Sequence, residues 1–284
     1  MREIWKNLKT RRFWKAFSTS TFSAVGFFSV ILSLFAIIFT GVIPHQKGGI
    51  AAGVCAISIS YGLWRSWPRS IQEQYDTPNV KISLMKGDLF EQNGHLVIGM
   101  STSFDTSIPD IIARSSVQAQ FLDRIFSGNI GELDAQLSQA LGSYRPVSYI
   151  NKPGKQEKYA IGTVAVLKEH ARCYFCVAYA EMNEHNEAHG TVDGIWHSLN
   201  SLWRAVSADA NGGRVCIPII GGGQSRLSQI LPAQDSIRLI AMSFMLACRS
   251  EKICDELVIV AQPKYYERLD RLDIHAFLRS LKPS

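Results

Sequence analysis

The stretch "RVCIPIIGGGQSRL", Arg214–Leu227, ends an apolar, β-branched run on three consecutive glycines followed by Gln224, Ser225 and Arg226. A turn rarely needs more than one glycine. Successive bare N–H groups in such a loop form a nest that suits a phosphate or pyrophosphate. No G-x-x-x-x-G-K-[ST] follows, and the later glycines of a G-x-G-x-x-G fingerprint are missing, so the two common nucleotide motifs are set aside. A second polar residue at the end of an apolar run is Asp88, just past Gly87 in "KGDLFEQNG". Cys173 and Cys176 form a C-x-x-C without a second pair, a weak metal signal inside a run that reads as a buried strand. His185 and His189 share an H-x-x-x-H spacing in "EMNEHNEAHG", but Gly190 and the polar composition predict a loop there, not a ligating helix. His197 falls in a helical pattern and reads as a surface or satisfied helix residue. No metal site is expected.

The elements that must position these residues alternate between strand and helix. "VKISLMKG" and "HLVIGMS" predict strands, followed by helical stretches from about Pro109 to Phe126 and from about Glu132 to Leu141. "KYAIGTVAVLK" and "RCYFCVAYAEM" predict strands, then a helix from Thr191 to Ala208, with Thr191 as N-cap and Ile195, Leu199, Leu202 and Val206 at helical spacing. "VCIPII", a helix over Asp235–Cys248, the strand "ELVIVAQ" and a closing helix over Tyr266–Leu281 complete the series. Near-continuous apolar strands between helices predict a sheet covered on both faces. Ligands on such sheets usually bind beyond the strand C-termini. Both Asp88 and Gly221–Gly223 lie there.

The N-terminus has a different character. Residues 1–20 carry six Lys/Arg against Glu3, so they hold +5 of the chain's net +6. The rest is nearly neutral, which leaves nucleic-acid binding without support. No residue from Ala16 to Gln46 is charged, and the 23 residues Thr21–Ile43 are apolar on every face. At about 1.5 Å per residue they span roughly 34 Å, enough for a hydrocarbon core of about 30 Å. That run is too long for the apolar core of a signal peptide. After "PHQK" a second uncharged run reaches Trp64, with Trp64, Arg65 and Trp67 placed to anchor its end. Basic flanks before the first run and after the second predict both termini in the cytoplasm. Gly49 and Gly53, with Ala52 and Ala56 beside them, permit close helix approach, within the hairpin or between copies. The expected organisation is a basic N-terminus (1–19), two transmembrane helices within 20–67 (about 20–43 and 48–67), a polar linker (68–79) and a ligand-binding domain (80–284).

"VKISLMKGDLF" with "LVIGMSTSFDT", and later "RVCIPIIGGGQSRLS" leading into a helix and "ELVIVAQP", resembles a macro domain, a family that binds ADP-ribose. Two spans before such a domain are similar to the membrane effector of type II Thoeris antiphage systems. The resemblance implies an α/β fold: a two-helix transmembrane hairpin, then a macro-like α/β/α sandwich with a central mixed sheet. It also implies roles. Asp88 would accept from the adenine amino group, and Leu89 would donate its backbone N–H nearby. Gly221, Gly222, Gly223, Gln224, Ser225, Arg226 and Leu227 would wrap the pyrophosphate and distal ribose. Ser101, Thr102, Ser103, Phe104 and Asp105 would form the opposite wall. Catalytic relatives often carry asparagine and a glycine run after that strand, where this chain has "STSFDTSIPD". The resemblance therefore favours binding over catalysis, with a membrane-tethered ADP-ribosyl hydrolase as the alternative. It implies an ADP-ribose-derived signal, for example a histidine-ADP-ribose conjugate, made by a TIR-domain enzyme. It further implies membrane lipid as a partner, homo-oligomerisation on activation, and residence in the bacterial inner membrane.

Overall fold

The computed structural model describes residues 11–38, 47–66, 71–221 and 230–282. The chain divides into two compact units, Met1–Arg69 and Ser70–Ser284.

Among the described residues the first unit holds two helices, α1 (Arg11–Ile38) and α2 (Lys47–Ser66). Among the described residues one segment, Phe17–Phe35, is long and apolar enough to cross a membrane. The apolar segment of α2, Gly49–Trp64, is shorter. At 1.5 Å per residue it reaches about 24 Å, short of a hydrocarbon core of about 30 Å. Of the expected pair of spans, the described residues thus hold one helix of span length and one shorter apolar helix. The two helices pack closely at Gly62, where an added Cβ would collide with Thr21 Oγ1 and lie 3.2 Å from the Phe17 ring. Gly53 has nothing within 4 Å of that position, so it is not the glycine that brings the two helices together.

The second unit is built on a mixed sheet of order β1-β2-β10-β9-β3-β7-β6. Its strands are β1 (Ile71–Asp76), β2 (Asn79–Lys86), β3 (His95–Ser101), β6 (Val164–Glu169), β7 (Arg172–Met182), β9 (Val215–Pro218) and β10 (Glu256–Ala261). β8 (Ala188–His189) pairs with β7, and β4 (Ser148–Tyr149) with β5 (Glu157–Lys158) forms a separate hairpin. The five central strands run parallel, while β1 and β6 are antiparallel at the two edges. Strand alternation sorts the core into two layers. Val80, Ile82, Leu84, Ile217 and Ile259 share one layer with residues of α5 (Val192–Asp209), α6 (Ala233–Ser250) and α8 (Arg271–Ser280). Leu96, Ile98, Met100 and Val258 share the other with α3 (Val117–Ile125) and α4 (Ile130–Leu141). Among the described residues the remaining α-helix, α7, is the single turn Pro263–Tyr266.

Several expected boundaries shift for local reasons. Thr191 caps α5 as anticipated, its hydroxyl accepting from the Gly194 N–H at 3.0 Å. The stretch 68–79, expected as a linker, instead contributes edge strand β1, with Ile71, Glu73 and Tyr75 buried in alternation. Only two of those six residues are apolar, so the period of two was hard to read. The helix expected from Pro109 begins only after Ser116, which accepts from the Ala119 N–H and caps α3. The closing helix splits into α7 and α8, with Asp270 capping the second.

Candidate functional site

The central strands are parallel, so their C-terminal ends share one edge of the sheet. β2 leads to Gly87 and Asp88, β10 to Gln262 and Pro263, β9 to Ile219–Gly221, and β3 to Thr102–Asp105. The chain's polar strand-end residues are thereby collected along that edge.

Asp88 caps the short 3-10 turn Leu89–Glu91. Its Oδ1 accepts from the Phe90 N–H at 2.9 Å, and its Oδ2 lies 2.8 Å from Arg124 Nη1 on α3. The Arg124 guanidinium also sits 5.5 Å from the centroid of the Phe90 ring, within range of a cation–π contact. The turn is fixed further by Gly87, whose N–H donates to the Ala261 carbonyl at 3.1 Å, and by the Gln92 amide, which donates to the Asp88 carbonyl at 2.8 Å. Beside it opens a cleft of about 590 Å³, bordered by Asp88, Phe90, Val117, Gln120, Pro218 and Gln262. Leu89 is buried beneath the turn and also borders the cleft.

β9 delivers the chain towards the glycine loop. The Ile220 N–H donates to the buried Ser236 hydroxyl at 3.1 Å, and Gly221 adopts φ +93°, a left-handed conformation that favours glycine. Gly222, Gly223, Gln224, Ser225, Arg226 and Leu227 lie outside the described residues.

The segment after β3 is organised inwards. The side chains of Ser101, Thr102, Ser103, Phe104 and Asp105 are all buried. Thr102 Oγ1 accepts from the Met182 N–H at 3.1 Å. Phe104 takes φ +49° and packs edge-on against Tyr159 in the core. Asp105 is fully engaged by protein. Its Oδ2 receives the Ser103 hydroxyl and lies 2.8 Å from Lys152 Nζ, while its Oδ1 accepts from the Lys155 N–H at 2.9 Å. Phe104 and Asp105 thus shape the loop from within, and Ser103 reaches a cavity. That second cavity, of about 510 Å³, is bordered by Ser103, Tyr144, Tyr149, Lys155, Glu157 and Tyr159. Burial, reinforced by a 2.9 Å hydrogen bond to Glu157, pushes the Tyr159 phenol up to about 12, so it stays protonated at neutral pH.

Sequence reasoning missed Arg124, Phe90, Gln120 and Lys152. The first three carry no motif, although Gln120 and Arg124 share one face of α3 by their spacing of four. Lys152 becomes a buried cation only because Gly154, at φ +86°, lets the 152–155 turn wrap Asp105; a Cβ there would lie 2.6 Å from Asp105 Oδ1.

The C-x-x-C is not a chelating pair. Cys173 and Cys176 belong to opposite core layers, as residues three apart on a strand must. Burial pushes both thiols up. His185 and His189 lie in the β7–β8 hairpin, where His189 Nε2 is 3.6 Å from Glu187. Among the described residues no group of three or more His, Cys, Asp or Glu side chains is placed to hold a metal. His197 is an exposed residue of α5.

Residues 82–262 match the family model described as "Thoeris protein ThsA, Macro domain". Solved structures with similar chain traces include three of an Oceanobacillus iheyensis macrodomain. One, a single-residue mutant, is 10% identical at a TM-score of 0.48, over 75% of this chain and 92% of that one. The form with MES bound is 12% identical at 0.46, over 75% and 98%. A further mutant, with ADPR, is 11% identical at 0.40, over 74% and 96%. No curated protein matches the chain.

Proposed function

The chain belongs to the macro-domain family of the Thoeris protein ThsA, and on that premise we propose that it is a membrane-anchored sensor of an ADP-ribose-derived signal. The observation that carries this reading is the shared strand edge. There the Asp88 turn and the start of the glycine loop leave strands two positions apart in the sheet, with the cleft of about 590 Å³ beside Asp88 and Pro218. Adenine would sit against Asp88 and Leu89. The pyrophosphate and distal ribose would extend towards Gly221–Leu227 and the loop that begins at Ser101.

The signal would be an ADP-ribose derivative, an amino-acid conjugate such as histidine-ADP-ribose among them, made by a TIR-domain enzyme. Binding can change the protein only if the ligand prefers one state over the other. In the proposed cycle the bound form self-associates, and the N-terminal helices then disrupt the inner membrane in abortive infection. The internal satisfaction of Asp105 supports binding over hydrolysis, because this buried carboxylate of the loop after β3 is held by Lys152, Lys155 and Ser103.

Calorimetric titration of the full chain in detergent with ADP-ribose and its conjugates tests the reading. We expect binding, and Asp88→Ala should weaken it by about 10-fold or more, the loss expected for a hydrogen bond to a charged group. Absence of heat with every ADP-ribose compound would sink the sensor.

A further inference from the structure

We propose that Arg124 is a second base-reading residue, which together with Asp88 forms a paired acceptor and donor for the edge of the adenine ring. This rests on the reading that Asp88 meets adenine. Arg124 projects from α3, whose Val117 and Gln120 border the same cleft. Positions 117, 120 and 124 are three and four apart, so they line one helix face. Its Nη1 lies 2.8 Å from Asp88 Oδ2, and its guanidinium is held near the Phe90 ring, itself at the cleft border. Both charged side chains keep solvent access, Arg124 at 45% and Asp88 at 27% exposure, so each retains hydrogen-bonding capacity beyond the pair.

The chemistry matches adenine in kind. On either polar edge adenine presents its 6-amino donor next to a ring-nitrogen acceptor, N1 or N7. A carboxylate accepts only, and a guanidinium donates only through a fixed planar fork. Placed side by side, they answer those two groups together. Hypoxanthine and guanine carry an acceptor oxygen at position 6, which would face the Asp88 carboxylate without a proton to share. Arg124 also orients Asp88, because one carboxylate oxygen is already taken by the Phe90 N–H and the other is drawn to the guanidinium.

Titration of the full chain in detergent with ADP-ribose and with its 1-deaza and 7-deaza adenine analogues separates the possibilities. Arg124→Ala should lower the affinity for ADP-ribose by about 10- to 100-fold, as expected for loss of a charged hydrogen bond. One of the two analogues should bind the unaltered protein with a similar loss, and Arg124→Ala should cost that analogue nothing more. Arg124→Lys keeps the charge without the fork and should recover only part of the affinity. An equal loss for all three ligands would reduce Arg124 to a charge partner of Asp88 and overturn the proposal. So would unchanged ADP-ribose affinity in Arg124→Ala alongside a loss in Asp88→Ala, a pattern that leaves the adenine reading standing. If the unaltered protein binds neither ADP-ribose nor any of its conjugates, both readings fall together.

Discussion

Asp105 and Lys152 are 1% and 0% exposed and lie 2.8 Å apart, an ion pair withdrawn from water at the root of the loop that follows β3. Removing two charges from water costs several kcal/mol each, and attraction alone offsets it only when the remaining polar atoms are also satisfied. They are satisfied here. The Ser103 hydroxyl and the Lys155 N–H complete the carboxylate, and the Pro153 carbonyl accepts from Lys152 at 3.1 Å. Lys152→Met should therefore destabilise the domain by about 3–5 kcal/mol, because it strands a buried carboxylate, while Asp105→Leu combined with Lys152→Met should cost clearly less. Urea unfolding of the single and double variants checks this, and equal losses in the two would refute the ion-pair account. Asp105 was visible in the sequence as a polar residue beyond a strand, but its partner was not. Nothing in "INKPGKQ" distinguishes the fully buried lysine from the half-buried one three residues later, since the difference is made by the turn at Gly154.

The elements that were legible are those whose apolar pattern is redundant. β7, β9 and β10 are nearly continuous runs of buried residues, and α5 announces itself through its Thr191 cap and four spaced apolar side chains. Elements set by few apolar residues were not. β1 rests on Ile71 and Tyr75, and the β4–β5 hairpin presents exposed or half-buried polar positions. The helical hairpin shows the same limit in its glycines. Gly49 and Gly53 have the spacing of a packing motif, yet the glycine that α1 approaches closely is Gly62. A leucine at Gly62 must push Thr21 and Phe17 aside, and overpacking of that kind typically costs about 1–3 kcal/mol. Gly62→Leu should therefore lower the thermal midpoint of the helical signal in detergent, read by circular dichroism, while Gly53→Leu should leave it unchanged. The reverse pattern would place the helix contact at Gly53 and contradict the packing described.

At the scale of the molecule, the second unit opens on β1, which follows α2 closely in sequence. α1 turns most of its large apolar side chains outwards, with Phe22 76% and Ile37 71% exposed, an apolar surface that calls for a membrane or a partner. The second unit is closed differently, by contacts between its first strand and its last helix. The Tyr75 hydroxyl donates to the Leu278 carbonyl at 2.7 Å, across 203 residues of chain. Glu73, nearly buried, is met by Lys282 at 2.7 Å, His275 at 3.5 Å and Arg279 at 3.8 Å. β1 also covers the open edge of β2, and an uncovered edge strand is an aggregation hazard. A fragment of residues 70–284 should accordingly be soluble, monodisperse and folded, whereas a fragment of residues 77–284 should lose stability and tend to aggregate. The full chain should remain in the membrane pellet after alkaline carbonate extraction. Size-exclusion chromatography and thermal melting of the two fragments, beside carbonate extraction of the full chain, measure all three outcomes. If residues 77–284 prove as stable as residues 70–284, β1 is dispensable to the second unit, and the proposed coupling to the N-terminal helices would have to run through some other element. If β1 is required, the strand that carries Glu73 and Tyr75 pairs directly with the strand that leads to Asp88, so the chain from the Asp88 turn back towards the N-terminal helices runs through one hydrogen-bonded pair of strands.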